Sequence, residues 1–316
     1  MSESPLVSVI IPTYGRSESL LNSIDSVMTQ SYKDIELIVI DDNNSDSEYF
    51  KYNYNGLLQS YPNIIYIAQG KNVGAARARN NAVKVSNGSM IAFLDDDDIW
   101  LPDKLKLQIE LFNHSSVTNI GMIYCFTSIF DSNRNKIKEI HNEYKGNPVL
   151  VQFFKNITST STMLLPKNVF LEVGGFPLLK SGQDYIFLLN LLEAGYNIDY
   201  VAKPLIEQYY HNDERISNSY NSLLGTFETM QVIESKISIL PMGKRRKLKR
   251  QLNFRLLYKA IYFDDRKFKS IAIKKSINNF IFEVLLIYTV IYLPIKFFGG
   301  KMVIEFLQSI KYRITR

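Results

Sequence analysis

The sequence predicts an α/β protein built on a mostly parallel, doubly wound sheet flanked by helices, with a basic helical region at its C-terminal end. Three observations carry this reading. Four short apolar runs fall between residues 7 and 98, amphipathic stretches separate them, and acids cluster just past the ends of the runs.

The runs are Val7–Ile11, Glu36–Ile40, Ile64–Ile67 and Met90–Leu94, nearly continuously apolar and rich in β-branched residues in the first three, as strands covered on both faces should be. Ser17 suits a helix N-cap, and Leu20, Leu21, Ile24, Val27 and Met28 recur as one apolar stripe after it. Ala75–Val85 is Ala-rich and helical in pattern. Strand and helix thus alternate, which implies parallel pairing with helical crossovers. Pro102 opens a helix through Leu111, and Gly121–Phe130 is a further strand. After Pro148 come Ser159–Leu165, a turn at Gly174-Gly175 and a helix near Tyr185–Glu193. Strands are expected around Asp199–Val201 and Leu205–Tyr210.

Composition excludes several classes. At 46% hydrophobic and 22% charged residues, the 316-residue chain is globular in character. A single cysteine, Cys125, excludes a disulfide framework and a thiolate metal site within one chain, and it suits a reducing compartment. No basic segment precedes Val7, so no secretory signal is expected. The net charge of +6 hides an asymmetry. Residues 244–316 hold 18 Lys and Arg against 4 Asp and Glu, a net of +14, and residues 1–243 sum to −8. An acidic body with a basic tail calls for a polyanionic partner at the tail.

In open α/β sheets, ligands sit beyond the carboxyl ends of the strands. Two carboxylate groups fall there. Asp95-Asp96-Asp97-Asp98 follows the fourth run, and four adjacent acids repel unless a cation offsets them. Mg²⁺ or Mn²⁺, with its preference for hard oxygen, would do so while keeping positions for phosphate oxygens. Strand alternation places Asp95 and Asp97 on one side; an acidic loop or helix start before Pro102 is the other reading. Asp41-Asp42 follows the second run, where an acid can bond a ribose hydroxyl or a base N–H, or simply form a turn. Gly74 opens the third helix, where backbone N–H groups favour an anion. Arg77 and Arg79 cannot share a face of that helix, so at least one is free to be solvated.

Taken together, Val7-Ser8-Val9-Ile10-Ile11-Pro12-Thr13-Tyr14, Asp41-Asp42, Asn72-x-Gly74 with Ala78-Arg79-Asn80, and Leu94-Asp95-x-Asp97-Asp98 resemble the family 2 glycosyltransferases of the GT-A fold. The likeness covers about residues 5–215, with the four blocks in the family's order. It implies an inverting, metal-dependent transfer of sugar from a nucleotide diphosphate, UDP being the favoured nucleotide, to an acceptor hydroxyl. By the same resemblance, Pro12, Thr13 and Tyr14 line the base pocket, Asp42 bonds the base or ribose with Asp41 nearby, and Asn72, Gly74, Arg79, Asp95 and Asp96 complete the nucleotide site. Asp97 and Asp95 would hold the metal, with His211 in Tyr209-Tyr210-His211-Asn212 approaching it or lying in a surface loop. The segment Gly174-Gly175-Phe176 with Gly182-Gln183-Asp184 resembles the family's catalytic block, making Asp184 the general base. Gln183 stands where the family commonly has Glu.

The resemblance together with the charge asymmetry divides the chain into a catalytic domain over 1–240 and a basic, amphipathic region over 241–316. Between Glu283 and Lys296 only 12 uncharged residues run, interrupted by Pro294, which is short of the roughly 20 needed to span a bilayer. Tyr288, Tyr292 and the stripe Met302, Val303, Phe306, Leu307 and Ile310 suit a lipid interface. The expectation is an enzyme at the inner face of the cell membrane, extending a lipid-linked saccharide for a bacterial-type surface polysaccharide. A helical bundle, a marginal spanning helix, a non-lipid acceptor and a silent nucleotide-sugar binder are the alternatives. Nucleic acid is excluded as a partner by the acidic body and the lack of a recognition module. A homo-oligomer is left open.

Overall fold

The computed structural model describes residues 4–209 and 219–279. Two compact units divide the chain, Met1–Asp213 and Glu214–Arg316.

The first unit is built as the sequence predicts. β1 (Val7–Thr13), β2 (Ile35–Asp41), β3 (Ile65–Ala68) and β4 (Met90–Phe93) pair in parallel in the order β3-β2-β1-β4. α1 (Glu18–Met28), α2 (Glu48–Ser60) and α3 (Ala75–Val85) connect them. The sheet continues through β8 (Leu164–Pro166), β6 (Ile120–Phe130), β9 (Asn197–Tyr209) and β5 (Asp98–Trp100), with β7 (Lys136–Ile140) pairing on β6. α4 (Lys104–His114), α5 (Val149–Gln152), α6 (Lys167–Glu172) and α7 (Gln183–Glu193) complete the unit.

Alternation along β1 builds two cores. Ile10 packs with Phe93, Ala78, Phe170 and Phe187 on one face, and Val9 and Ile11 pack with Leu20, Ile24 and Leu105 on the other. Strand order reverses beside β1, and the crevice opens past β1 and β4, where a doubly wound sheet binds its ligands.

Some expectations need correction. Ser17 makes no side-chain cap; its carbonyl accepts the Leu21 N–H at 3.2 Å. Met28 is exposed, because it sits about 80° from Leu20 around the helix, at the edge of the buried stripe. Pro102 lies in the turn before α4 instead of its first residue. The two strands expected near Asp199 and Leu205 are one strand, β9, whose register against β6 shifts beside Pro204. Ser159–Leu165 becomes a 3-10 turn, Thr160–Thr162, followed by β8.

Beneath β5 lies a buried lysine. Lys104 is fully buried, its Nζ donating to Gln108 Oε1 at 2.7 Å and sitting 3.9 Å from the Trp100 ring centroid. Burial pushes its ammonium down to about 8. Between pH 8 and the ordinary lysine value near 10.5, the unfolded chain binds the extra proton, so Lys104 makes stability rise with pH across that window. The stability advantage of Lys104→Met over wild type should therefore shrink by about 3 kcal/mol from pH 7 to 10.5. Urea titration followed by the fluorescence of Trp100, the chain's one tryptophan, measures this. A pH-independent gap would show that the buried ammonium carries no such cost.

The second unit is helical. α8 (Tyr220–Lys236), α9 (Met242–Tyr262) and α10 (Arg266–Asn279) pack through Leu223, Met230, Ile233, Leu248, Leu252 and Leu256. Tyr220 Oη donates to Asp265 Oδ2 at 2.6 Å, and Lys259 Nζ donates to the Ser222 carbonyl at 3.0 Å. Residue 240 thus falls between two helices of this unit. Among the described residues, no helix is long and apolar enough to cross a membrane. The apolar run 280–298 and the stripe from Met302 lie outside the described residues.

Candidate active site

The acidic run is a turn. β4 stops at Phe93, the Asp98 N–H returns to the Asp95 carbonyl at 3.1 Å, and β5 leaves antiparallel to β9. Strand alternation is therefore not what gathers the acids. The turn brings Asp95, Asp97 and Asp98 together, with one potential ligand atom from each lying within 4.8 Å of the others. Asp96 turns away into a buried pair, its Oδ1 accepting from Arg16 Nη1 at 2.5 Å, and burial raises its carboxyl to about 6 against the pull of Arg16. The same guanidinium lies 3.0 Å from Asp97 Oδ2.

Asp98, which the sequence places in the acidic run without a role of its own, is the most constrained member. Ser161 Oγ donates to its Oδ2 at 2.6 Å and Gln208 Nε2 to the same oxygen at 2.8 Å. Burial, then Asp97 and Asp95, push its carboxyl well above the usual range. Ser161 Oγ also accepts the Asp95 N–H at 3.1 Å, so one hydroxyl ties both ends of the turn. Three hard oxygen donors held this close repel one another and fit a divalent cation.

Two loops beside the turn are fastened by the second carboxylate pair. Asp42 is buried, and its two oxygens accept the Val73 and Gly74 N–H groups at 2.8 Å each. The anion expected at the start of α3 is thus a side chain of the protein. Gly74 is required there by its φ of 88°. Asp41 does not face the crevice. It is wholly buried and accepts from the Asn43 N–H and Nδ2 at 2.8 Å each, from Asn53 Nδ2 at 3.3 Å, and from the Tyr66 hydroxyl. Asn43 Oδ1 then takes the Gly15 N–H at 2.9 Å, anchoring the loop after β1. At the end of β1 Pro12 and Thr13 are buried, and Tyr14, which opens the loop, is 56% exposed. Asn72 and Arg77 are exposed, so Arg77 is the solvated arginine. Arg79 is buried, reaches Asp95 Oδ1 at 2.5 Å, lies 5.7 Å from the Phe176 ring, and among the described residues its Nε and Nη1 have no acceptor.

Asp184 is the second residue of α7, entered through Gly182 at φ 77°. Asn156 Nδ2 donates to its Oδ2 at 2.7 Å, and Asn156 is itself held by Gln152 Nε2 at 3.1 Å. The side chain is half-buried. Burial raises its carboxyl above the usual range; the Tyr185 N–H and Asn156 oppose this, while Asp95 adds to it and Arg79 offsets it. Asn80 joins this block to α3, donating to the Phe176 carbonyl at 2.8 Å and accepting the Phe176 N–H at 3.0 Å. The structure therefore brings Asp95, Asp97, Arg79 and Asp184 into one electrostatic neighbourhood and adds Arg16, Asp98, Asn156, Ser161 and Gln208. His211 lies outside the described residues.

Comparison with known proteins agrees with this arrangement. The family model described as Glycosyl transferase family 2 matches residues 8–180. The chain is 30% identical over 235 residues to an uncharacterized glycosyltransferase of Methanocaldococcus jannaschii, covering 72% of this chain and 79% of that one. It is 40% identical over 128 residues to the Escherichia coli UDP-Glc:alpha-D-GlcNAc-diphosphoundecaprenol beta-1,3-glucosyltransferase WfgD, covering 40% of this chain and 48% of that protein. Among solved structures, Staphylococcus aureus TarS in complex with UDP-GlcNAc superposes with a TM-score of 0.60 at 20% identity, covering 81% of this chain and 73% of that one. The mannosyltransferase PcManGT of Pyrobaculum calidifontis, in complex with GDP-Man and Mn²⁺, gives 0.57 at 14% identity, covering 98% and 87%. These likenesses show the GT-A fold.

Proposed function

The chain belongs to glycosyl transferase family 2 and is a glycosyltransferase, and we propose that it moves a sugar from a UDP-sugar to a hydroxyl of a saccharide acceptor with inversion at the anomeric carbon. The observation that carries this reading is the acid cluster Asp95, Asp97 and Asp98 sharing its neighbourhood with Arg79 and the half-buried Asp184. Asp184 accepts the acceptor's proton as the hydroxyl oxygen attacks the anomeric carbon, and the bond to the diphosphate oxygen breaks on the opposite face. Arg79, whose Nε and Nη1 have no partner among the described residues, holds the nucleotide's phosphate side. Asp97 and Asp95 would hold Mn²⁺ or Mg²⁺, and Asp98 belongs to the same group of acids. When bound, the cation neutralises the charge that develops on the leaving diphosphate. Tyr14 and Asp42 line the base and ribose side, and Asp41 and Asp96 act on the loops instead of the ligand.

The relatives' names support the finer assignment. WfgD is named for a UDP-Glc donor and a diphosphoundecaprenol-linked acceptor, and TarS was solved with UDP-GlcNAc. We assign this chain a lipid-linked acceptor in a surface polysaccharide pathway. Catalysis lies within residues 1–240, and the basic region 241–316 rests on anionic lipid at the inner face of the cell membrane, each cation near the surface contributing about 1 kcal/mol.

A thermal-shift panel of nucleoside diphosphates and nucleotide sugars, each with and without Mn²⁺, tests the donor assignment. Uridine diphosphate should raise the melting temperature only when metal is present, by mass action. A shift with guanosine diphosphate alone would overturn the UDP assignment, and no shift with any nucleotide would overturn the donor site.

A further inference from the structure

The resemblance names Asp95, Asp97 and Asp98 and leaves the position between the first two open. In this chain that position is a fourth acid, Asp96, whose Oδ1 accepts from Arg16 Nη1 at 2.5 Å, and the same nitrogen lies 3.0 Å from Asp97 Oδ2. Asp96 is buried and the Arg16 side chain is only 24% exposed, so solvent ions screen these contacts poorly. The backbone that carries Arg16 is fastened on both sides. Gly15, at a φ of 67°, donates its N–H to Asn43 Oδ1 at 2.9 Å, and the Arg16 carbonyl accepts from Asn53 Nδ2 at 3.1 Å. Asn43 and Asn53 both donate to Asp41. Two buried acids, Asp41 through the backbone and Asp96 through the side chain, therefore set one guanidinium beside Asp97.

We propose that Arg16 is a positioning residue that makes cation binding conditional on the nucleotide. Its charge weakens the hold of Asp97 on a divalent ion by itself, and the donor's diphosphate restores that hold. The inference rests on the donor reading above. Each acid of the group already faces a donor: Arg79 lies 2.5 Å from Asp95 Oδ1, Arg16 lies 3.0 Å from Asp97 Oδ2, and Ser161 and Gln208 donate to Asp98 Oδ2. Two guanidinium charges beside three carboxylates leave little net charge to draw a dication out of water. A diphosphate adds negative oxygens at the cation, so cation and nucleotide bind more tightly together than singly. Arg79 is assigned to the phosphate. Arg16 acts through Asp97, and it is the arginine whose removal uncouples the cation from the nucleotide.

Isothermal titration calorimetry of the full chain tests this in wild type, Arg16→Gln, Arg16→Lys and Arg77→Gln. Mn²⁺ is titrated alone, and uridine diphosphate is titrated with and without Mn²⁺. Melting curves confirm that each variant is folded, and Arg16→Met replaces Arg16→Gln if the latter is not. Arg16→Gln should bind Mn²⁺ alone about tenfold more tightly than wild type, and the factor by which Mn²⁺ strengthens uridine diphosphate binding should fall about tenfold. Arg16→Lys keeps a cation at the same place and should retain the coupling. Arg77→Gln removes the exposed arginine of α3 and should match wild type within about twofold. A role confined to fastening the loop predicts the opposite sign, weaker Mn²⁺ binding in Arg16→Gln. That result, or Mn²⁺ affinity unchanged within about twofold, overturns the inference while leaving the donor reading in place. So does an equal gain in Arg77→Gln, which would trace the effect to summed charge. Wild type that binds no Mn²⁺ even with uridine diphosphate overturns the donor reading and this inference with it.

Discussion

Asp184→Asn should abolish transfer while leaving uridine diphosphate bound as tightly as in wild type. General base catalysis contributes about 10²- to 10⁴-fold, and an amide of the same shape cannot accept the acceptor's proton. Nucleotide contacts are assigned elsewhere, to Arg79 and the loops beside β1 and β2, so the loss should fall on turnover alone. The pH dependence gives a second signature. Because burial and Asp95 raise the Asp184 carboxyl, kcat/KM should climb with pH through a limb displaced above the ordinary carboxylate range. Asn156 donates to Asp184 Oδ2 at 2.7 Å and so favours the ionised form. Asn156→Ala should therefore move that limb to still higher pH, which loss of packing alone would not do. Steady-state rates across pH, paired with calorimetric binding of uridine diphosphate, read both effects. Turnover undiminished in Asp184→Asn would remove it as the base.

The strands and the two sheet faces were legible because runs buried on both sides leave a continuous apolar signature, seen at Val7–Ile11 and Met90–Phe93. Within the site, the types of residue were legible but their directions were not. Asp41 and Asp42 are neighbours at a strand end; one goes into the core to Tyr66 and Asn53, the other to the N–H groups of Val73 and Gly74 just before α3. Nothing in the order of two identical acids says which will do which. The Asp95–Asp98 run shows the same limit, since a tight turn and a continuing strand distribute four carboxylates differently. Partners distant in sequence left no local trace. Ser161 and Gln208 reach Asp98 from 63 and 110 residues away, and Arg16 reaches Asp96 across 80. β9 was read as two pieces because Lys203-Pro204 interrupts its apolar pattern, and the sheet absorbs that interruption as a shift in register.

Asp97→Asn should remove the metal dependence of nucleotide binding. Asp97 sits between Asp95 and Asp98 in the one group of three acids among the described residues placed to share a cation, and the carboxylate charges are what a divalent ion compensates. Loss of an outer-shell partner typically costs 10- to 100-fold in metal affinity, so loss of a direct ligand should cost about a hundredfold or more. Asp96→Asn is the internal control. It removes an adjacent charge of the same sign, but Asp96 is turned into its pair with Arg16 and does not join the group. In Asp96→Asn, uridine diphosphate should still need Mn²⁺ to raise the melting temperature, although freeing Arg16 weakens the fastening of the loop after β1. In Asp97→Asn the shift with Mn²⁺ should fall to the level seen without it. Equal behaviour of the two variants would mean that the run acts through its summed charge. Only a selective loss in Asp97→Asn ties the cation to the side of the turn that Asp95 and Asp98 share.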